Sequence, residues 1–277
     1  MRDARPRVGV SACLLGEPVR YDGHHKRDSF LVDVLGPHVQ WVPVCPEMEA
    51  GFGTPREPMR LMLVEPGTRP HRARFNRPNL ALVVTRTGED VTRKLVQAAR
   101  KRVDWLVCQR LSGFVLKKDS PSCGVEGVKV FGARGVAERG GRGLFAEALM
   151  ARLPNLPVEE EGRLENARIR SNFIERIFAY QRLRALFSER WTIGALVRFH
   201  TAHKLLLMAH SPTRFRELSR LVAGARNRPR NAVAAEYESG FMQILTVVAA
   251  RARQPRARSM GVVLSQTRRL TKRVAGR

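Results

Sequence analysis

Cysteine is scarce, with four in 277 residues. That is too few for a disulfide framework in a chain of this size. No two of them form a Cys-x-x-Cys pair, so no zinc-ribbon or dithiol redox motif can be read. The basic start MRDARPRVGV is not followed by an apolar core, which argues against a secretory leader. No apolar run is long enough to cross a bilayer, and no internal repeat is visible. These absences predict a soluble protein of the reducing cytoplasm with no membrane partner. Acidic residues are the other shortage, 25 Asp and Glu against 50 Lys and Arg, for a net charge of +25.

The excess is uneven. Residues 1–160 carry 26 Lys and Arg against 18 acids, and residues 161–277 carry 24 against 7. A surplus of this kind attracts a polyanion through phosphate contacts and counterion release, so nucleic acid is the expected partner. An arginine-rich coding bias explains the arginines but not the missing acids. The length suggests two domains, each able to bury its own core.

Three of the four cysteines share a local pattern. Phe114-Val115-Leu116 reads as a buried strand that runs, past Lys117-Lys118-Asp119, into Ser120-Pro121-Ser122-Cys123-Gly124. Pro121 cannot donate to a sheet and Gly124 permits unusual backbone angles, so the strand ends there. Val8 to Ala12 runs into Cys13 in the same way, and Trp41 to Val44 into Cys45. Open α/β sheets bind ligands beyond the carboxyl ends of their strands. Three parallel strands would therefore bring Cys13, Cys45 and Cys123 to one rim. Three thiolates suit zinc, copper(I) or an iron–sulfur cluster with one open metal position. Three unrelated buried thiols would leave the same pattern, because free cysteine is among the most buried residue types. Glu47, two residues beyond Cys45, is placed for general-base work. The polar loop after Cys13 offers Arg20, Tyr21, Asp22 and Lys26 as substrate contacts, with Arg20 or Lys26 suited to a phosphate, although a solvated loop would have the same composition. Lys117, just before the third turn, joins that set. His24-His25 lacks partners at ligand spacing.

The fold expected is an α/β N-terminal domain with a mainly parallel, Rossmann-like three-layer arrangement over residues 1–155, then an all-α domain over 156–277. Strands are expected at 7–12, 39–44, 59–64, 114–116 and 128–131. Helices are expected at 29–35, from about 90 to 103 and from 144 to 153. Glu65 to Asn79, rich in Pro and Arg, reads as a loop. Cys108 lies outside the cysteine–turn pattern and reads as a packed thiol. The segment LPNLPVEEEGRL, with two prolines and three consecutive acids, marks the boundary. Beyond it helices are expected at 166–187, 191–209, from Ser211 to about 222, and 233–250, followed by a basic tail. His200, His203 and His210 have no carboxylate at ligand spacing and read as core or RNA-facing residues rather than a metal site.

The motifs SACLLGEPVRYDG, PVCPE and SPSCG, in that order, resemble the thiouracil desulfidase (TudS) family, formerly a domain of unknown function. PVEEEGRL, NFIERIFAYQRLR and HTAHKLLLMAHSPTRFREL resemble the helical domain often fused behind it, and the pair together resembles the tRNA 2-thiouridine desulfidases. The resemblance implies a 4Fe-4S cluster on Cys13, Cys45 and Cys123, with the substrate's thiocarbonyl sulfur taken by the open iron. It implies acid–base roles for Glu47 and Ser120, an RNA-binding role for the helical domain, and thiolated tRNA as substrate. Two other readings fit the residues. One is the same chemistry on free thiouracil or a thionucleoside, and the other is a non-enzymatic RNA-binding protein with a structural metal site. Val19 stands where many single-domain relatives carry a fourth motif cysteine.

Overall fold

A computed structural model describes residues 5–64, 80–132, 135–188 and 190–247. The chain divides into two compact units, Met1–Leu164 and Glu165–Arg277.

The first unit contains an all-parallel sheet built from β1 (Arg7–Ser11), β2 (Gln40–Val44), β5 (Gly113–Leu116) and β8 (Val158–Glu160), in the order β2-β1-β5-β8. Ser11 lies opposite Val44, and Val10 opposite Val115, so the carboxyl ends of the three cysteine-bearing strands are level. The chain leaves β1 on one side to form β2 and returns on the other side to form β5. That reversal is where α/β sheets open a crevice for ligands. β1 and β5 are almost wholly buried apolar runs, as strands covered on both faces must be. Gly9 has no side chain because the Phe114 ring occupies the space a Cβ would need. The Phe114 ring in turn meets Phe145 edge-on, with centroids 5.8 Å apart.

A second sheet is built from β3 (Met59–Leu63), β4 (Leu80–Val84), β6 (Val128–Phe131) and β7 (Ala137–Gly141), in the order β4-β3-β6-β7. Its pairs are antiparallel, parallel and antiparallel in turn along that order. Leu61, Leu82, Val128 and Val130 of this sheet share a core with Leu95 and Val96 of helix α2 (Thr92–Cys108). The expected strands and helices of this unit are present, joined by β4 and β7, which the sequence did not announce. Asp104 to Val107 forms the last turn of α2. Glu65 to Asn79 lies outside the described residues. The segment read as the boundary ends at Leu164, where the units divide, and its acid run contributes β8, whose Val158 to Glu160 pairs with Phe114 to Leu116. Short helix α1 (Pro46–Glu49) and helix α3 (Leu144–Arg152) complete the unit.

The second unit is helical: α4 (Ala167–Leu186), α5 (Ile193–Ala202), α6 (Lys204–His210), α7 (Pro212–Ala223) and α8 (Arg230–Thr246). Side-chain caps start three of them. Asn166 accepts from Arg168 N and Ile169 N, Thr192 from Ala195 N, and Ser211 from Arg214 N. The expected single helix over 191–209 is broken at His203, whose Nδ1 bonds the Phe199 carbonyl at 2.8 Å. Its Nε2 accepts from Arg182 Nε at 3.1 Å. His200 bridges Tyr237 and Ser219, and His210 meets Glu175 and the Val247 carbonyl. All three histidines are therefore hydrogen-bonded core residues. The tail beyond Val247 lies outside the described residues.

Candidate active site

Each cysteine of the three motifs sits where a strand of the parallel sheet stops. Cys13 lies in the turn Ala12–Leu15 directly after β1, and Gly16 closes that turn at φ 100°, a left-handed angle glycine takes without strain. Cys45 caps α1 after β2. Cys123 follows β5 in the Ser120–Gly124 turn, closed by Gly124 N–H donating to Ser120 O at 2.8 Å. The loop after Cys13 folds back on itself, with Lys26 N–H donating to Cys13 O and Asp28 N–H to Leu14 O, both at 2.9 Å.

These turns surround one cavity of about 400 Å³. Cys13, Cys45, Cys123, Glu47, Ser120, Arg20, Tyr21 and Lys117 all line it. Asp22 does not. It sits behind Arg20, with Arg20 Nε and Nη2 donating to its two oxygens at 3.3 and 3.1 Å. The Arg20 bond, helped by the His24 N–H, holds the Asp22 carboxyl below its ordinary range. Arg20 also lies over the Tyr21 ring, 5.3 Å from its centroid, at the exposed edge of the site. Lys26, Lys118 and Asp119 add charge to the lining.

Burial pushes the Cys13 thiol up to about 11, and the neighbouring Cys45 thiol adds to the rise. Burial also raises Cys45 and, to a greater degree, Cys123, where Glu47 and then Cys45 contribute further. The three sulfurs thus sense one another across the cavity. A bound metal would reverse this, because coordination deprotonates a thiol outright. Among the described residues no three His, Cys, Asp or Glu side chains gather tightly enough to hold a single metal ion. Three thiols lining one cavity are a soft donor set of the kind that suits an iron–sulfur cluster.

Glu47 is held from both sides. Its Oε2 accepts from Arg56 Nε at 2.9 Å and from Arg56 Nη2, in an ion pair whose side chains are 14% and 7% exposed. Its Oε1 accepts from Ser122 Oγ at 2.7 Å. Ser120 acts on the backbone instead. Its Oγ accepts from the N–H groups of Ser122 and Cys123 at 3.2 and 3.1 Å, fixing the turn that carries the third cysteine. Lys117 pairs with Glu161 through Nζ, and its backbone N–H donates to Ser11 Oγ at 3.0 Å.

Arg56, Ser122, Ser11 and Glu161 were not singled out from the sequence. Arg56 stands nine residues from Glu47 in a turn segment, and no periodicity links them. The expected burial of Cys108 is overturned. It is exposed at the last position of α2, off the apolar face formed by Leu95, Ala99, Val103 and Leu106.

The family described as 2-thiouracil desulfurase matches residues 8–161, and a family described only as a protein of unknown function matches residues 204–261. The uncharacterized protein YbbK of Bacillus subtilis (strain 168) is 36% identical over 115 residues, which is 42% of this chain and 71% of YbbK. A solved 4Fe-4S-dependent thiouracil desulfidase, TudS, is 32% identical, covering 58% of this chain and 93% of that one with a TM-score of 0.42.

Proposed function

The chain belongs to the 2-thiouracil desulfurase family, and from that premise we propose that it removes sulfur from 2-thiouridine in tRNA, using a 4Fe-4S cluster held by Cys13, Cys45 and Cys123. The observation that carries the reading is that three thiols from three separate motifs and the Glu47 carboxylate line one cavity. The donor set suits the cluster: three soft ligands, two of them buried, with no fourth cysteine in the lining among the described residues. When bound, such a cluster supplies a soft Lewis acid that makes the carbon of a thiocarbonyl more electrophilic.

The protein's own residues do the rest. Glu47 takes a proton from the attacking water, and the water oxygen bonds the ring carbon. The carbon–sulfur bond then breaks and sulfur leaves as sulfide, so thiocarbonyl plus water gives carbonyl plus hydrogen sulfide with no net redox change. Ser120, tied into its turn, keeps its hydroxyl at the substrate. Asp22 and Glu161 hold Arg20 and Lys117 in place, and the ring of Tyr21 gives the base a face to stack on. The charge surplus of residues 161–277 supports an RNA-binding role for the helical unit.

A second reading, with free thiouracil as substrate, is favoured by one fact: every described lining residue falls between Ser11 and Cys123. Anaerobic purification tests the common part, with iron and sulfide counts and a brown chromophore expected. Sulfide release is then followed from thiolated tRNA and from free thiouracil as salt is raised. Release that is fastest from tRNA and falls steeply with salt supports the tRNA reading. Salt-independent release from thiouracil alone supports the second. A colourless protein that binds zinc and releases no sulfide would reject both.

A further inference from the structure

Glu47 has two oxygens with about four acceptor positions between them, and their use is unequal. Oε2 receives both Nε and Nη2 of Arg56, which fills it. Among the described residues Oε1 receives only the Ser122 hydroxyl, at 2.7 Å. We infer that Oε1 is the oxygen that exchanges protons with the reacting water, and that Arg56 and Ser122 are positioning residues that hold its remaining lone pair toward the cavity.

The inference rests on the desulfidase reading and adds the atom at which proton transfer occurs. In the step, a water O–H bond breaks and its proton goes to Oε1. The water oxygen bonds the thiocarbonyl carbon, and no electrons are gained or lost. Ser122 suits this role because it is fully buried and its backbone is fixed, with Phe145 N–H donating to Ser122 O at 2.9 Å. Arg56 does more than pair with the carboxylate. Its Nη1 donates to Gly53 O at 2.6 Å and its Nη2 to Val19 O at 3.0 Å. Its backbone N–H donates to Tyr21 O at 2.8 Å, and Thr54 Oγ1 donates to Arg20 O at the same distance. One guanidinium therefore fixes the base and the loop presenting Arg20 and Tyr21 to the same frame. A planar fork can do this where a lysine ammonium cannot.

The test uses the full chain loaded with iron and sulfide, with thiouracil and 2-thiouridine as probes. Ser122→Ala should lower kcat by about 10- to 100-fold, the worth of one hydrogen bond to a charged group, with KM within about threefold and iron content unchanged. Arg56→Ala should lose kcat and regain part of it with added guanidinium, whereas Arg56→Lys should recover less than the rescued variant. If Arg56→Ala does not fold, Ser122→Ala and Arg56→Lys still decide the matter. A Ser122→Ala protein with wild-type kcat, or a loss of rate that follows lost iron, overturns the inference. Spectra and thermal midpoints of the iron-free variants separate those cases without reference to turnover. A wild-type protein inert on every thiolated probe overturns the desulfidase reading itself.

Discussion

Replacing Gly143 by alanine should damage the site from a distance, through backbone contact alone. Gly143 has φ −67° and ψ 146°, an extended conformation open to any residue, so alanine brings no torsional strain. The space is closed instead. A Cβ there would lie 2.5 Å from Ser122 O and 2.7 Å from Cys123 N, and these atoms are backbone that cannot swing aside. The two segments are also sewn together, with Gly143 N–H donating to Gly124 O at 2.8 Å and Phe145 N–H to Ser122 O at 2.9 Å. Relief to ordinary contact needs a separation of about 1 Å. Overpacking of this kind costs about 1 to 3 kcal/mol. Moving Ser122 also strains its bond to Glu47, so the upper end of that range is expected. Thermal unfolding of the iron-free chain should fall by about 2 to 4 °C for each kcal/mol, and iron content should drop because Cys123 moves with the loop. Gly132→Ala is the control, since its Cβ would meet only Val136 O at 3.8 Å. An alanine at 143 with an unchanged midpoint and full iron would show that the loop and α3 can part freely, and the packing argument would fail.

Further outcomes are expected. Serine at Cys13, Cys45 or Cys123 should each strip iron from the purified protein, while Cys108→Ser, on the exposed end of α2, should leave it unchanged. Glu47→Gln should lower kcat by roughly 100- to 10,000-fold with iron retained, as measured by sulfide release and iron assay. Burial, with Arg182 beside it, lowers the His203 imidazole to about 4 in the folded chain. The unfolded chain therefore binds the extra proton between the ordinary value near 6.5 and 4. The stability tied to this residue is complete above about 6.5 and is lost as pH falls toward 4, on the order of 3 kcal/mol. His203→Gln should flatten that part of the pH–stability curve. His210 runs the other way: burial pulls it down, but Glu175 and the Val247 carbonyl outweigh this and its pKa is raised. Its contribution is present below the ordinary value and disappears as pH rises through the raised one, which His210→Asn should abolish in alkaline unfolding titrations.

Much of the parallel sheet was legible because chemistry and fold coincide there. A strand that ends in a turn with a cysteine announces both its length and its direction, so β1, β2 and β5 and the shared rim of Cys13, Cys45 and Cys123 could be read from three short motifs. What stayed hidden depends on contacts between distant segments. Three consecutive acids look like solvated linker, yet Glu160 is buried and its Oε1 accepts from the N–H groups of Val125 and Glu126 at 2.6 and 3.3 Å. The AERGG of β7 has no strand signature, and only its pairing with Val128 to Phe131 makes it one. His203 sits at the break between α5 and α6, a position that no propensity scale marks. Cys108 was misjudged because a thiol's usual burial was given more weight than the helix face it occupies.

The position of β8 has a consequence for how the protein comes into being. Every cysteine and the whole described lining of the cavity precede it in the chain, yet Glu160 and Glu161 fasten the segments around Cys123 and Lys117 from the end of the unit. During synthesis the pocket must wait, unlatched, until those last residues leave the ribosome. A nascent chain stopped at Asn155 would carry all three rim cysteines and no clasp, and a shortened version of this unit has to run past Glu161 to close.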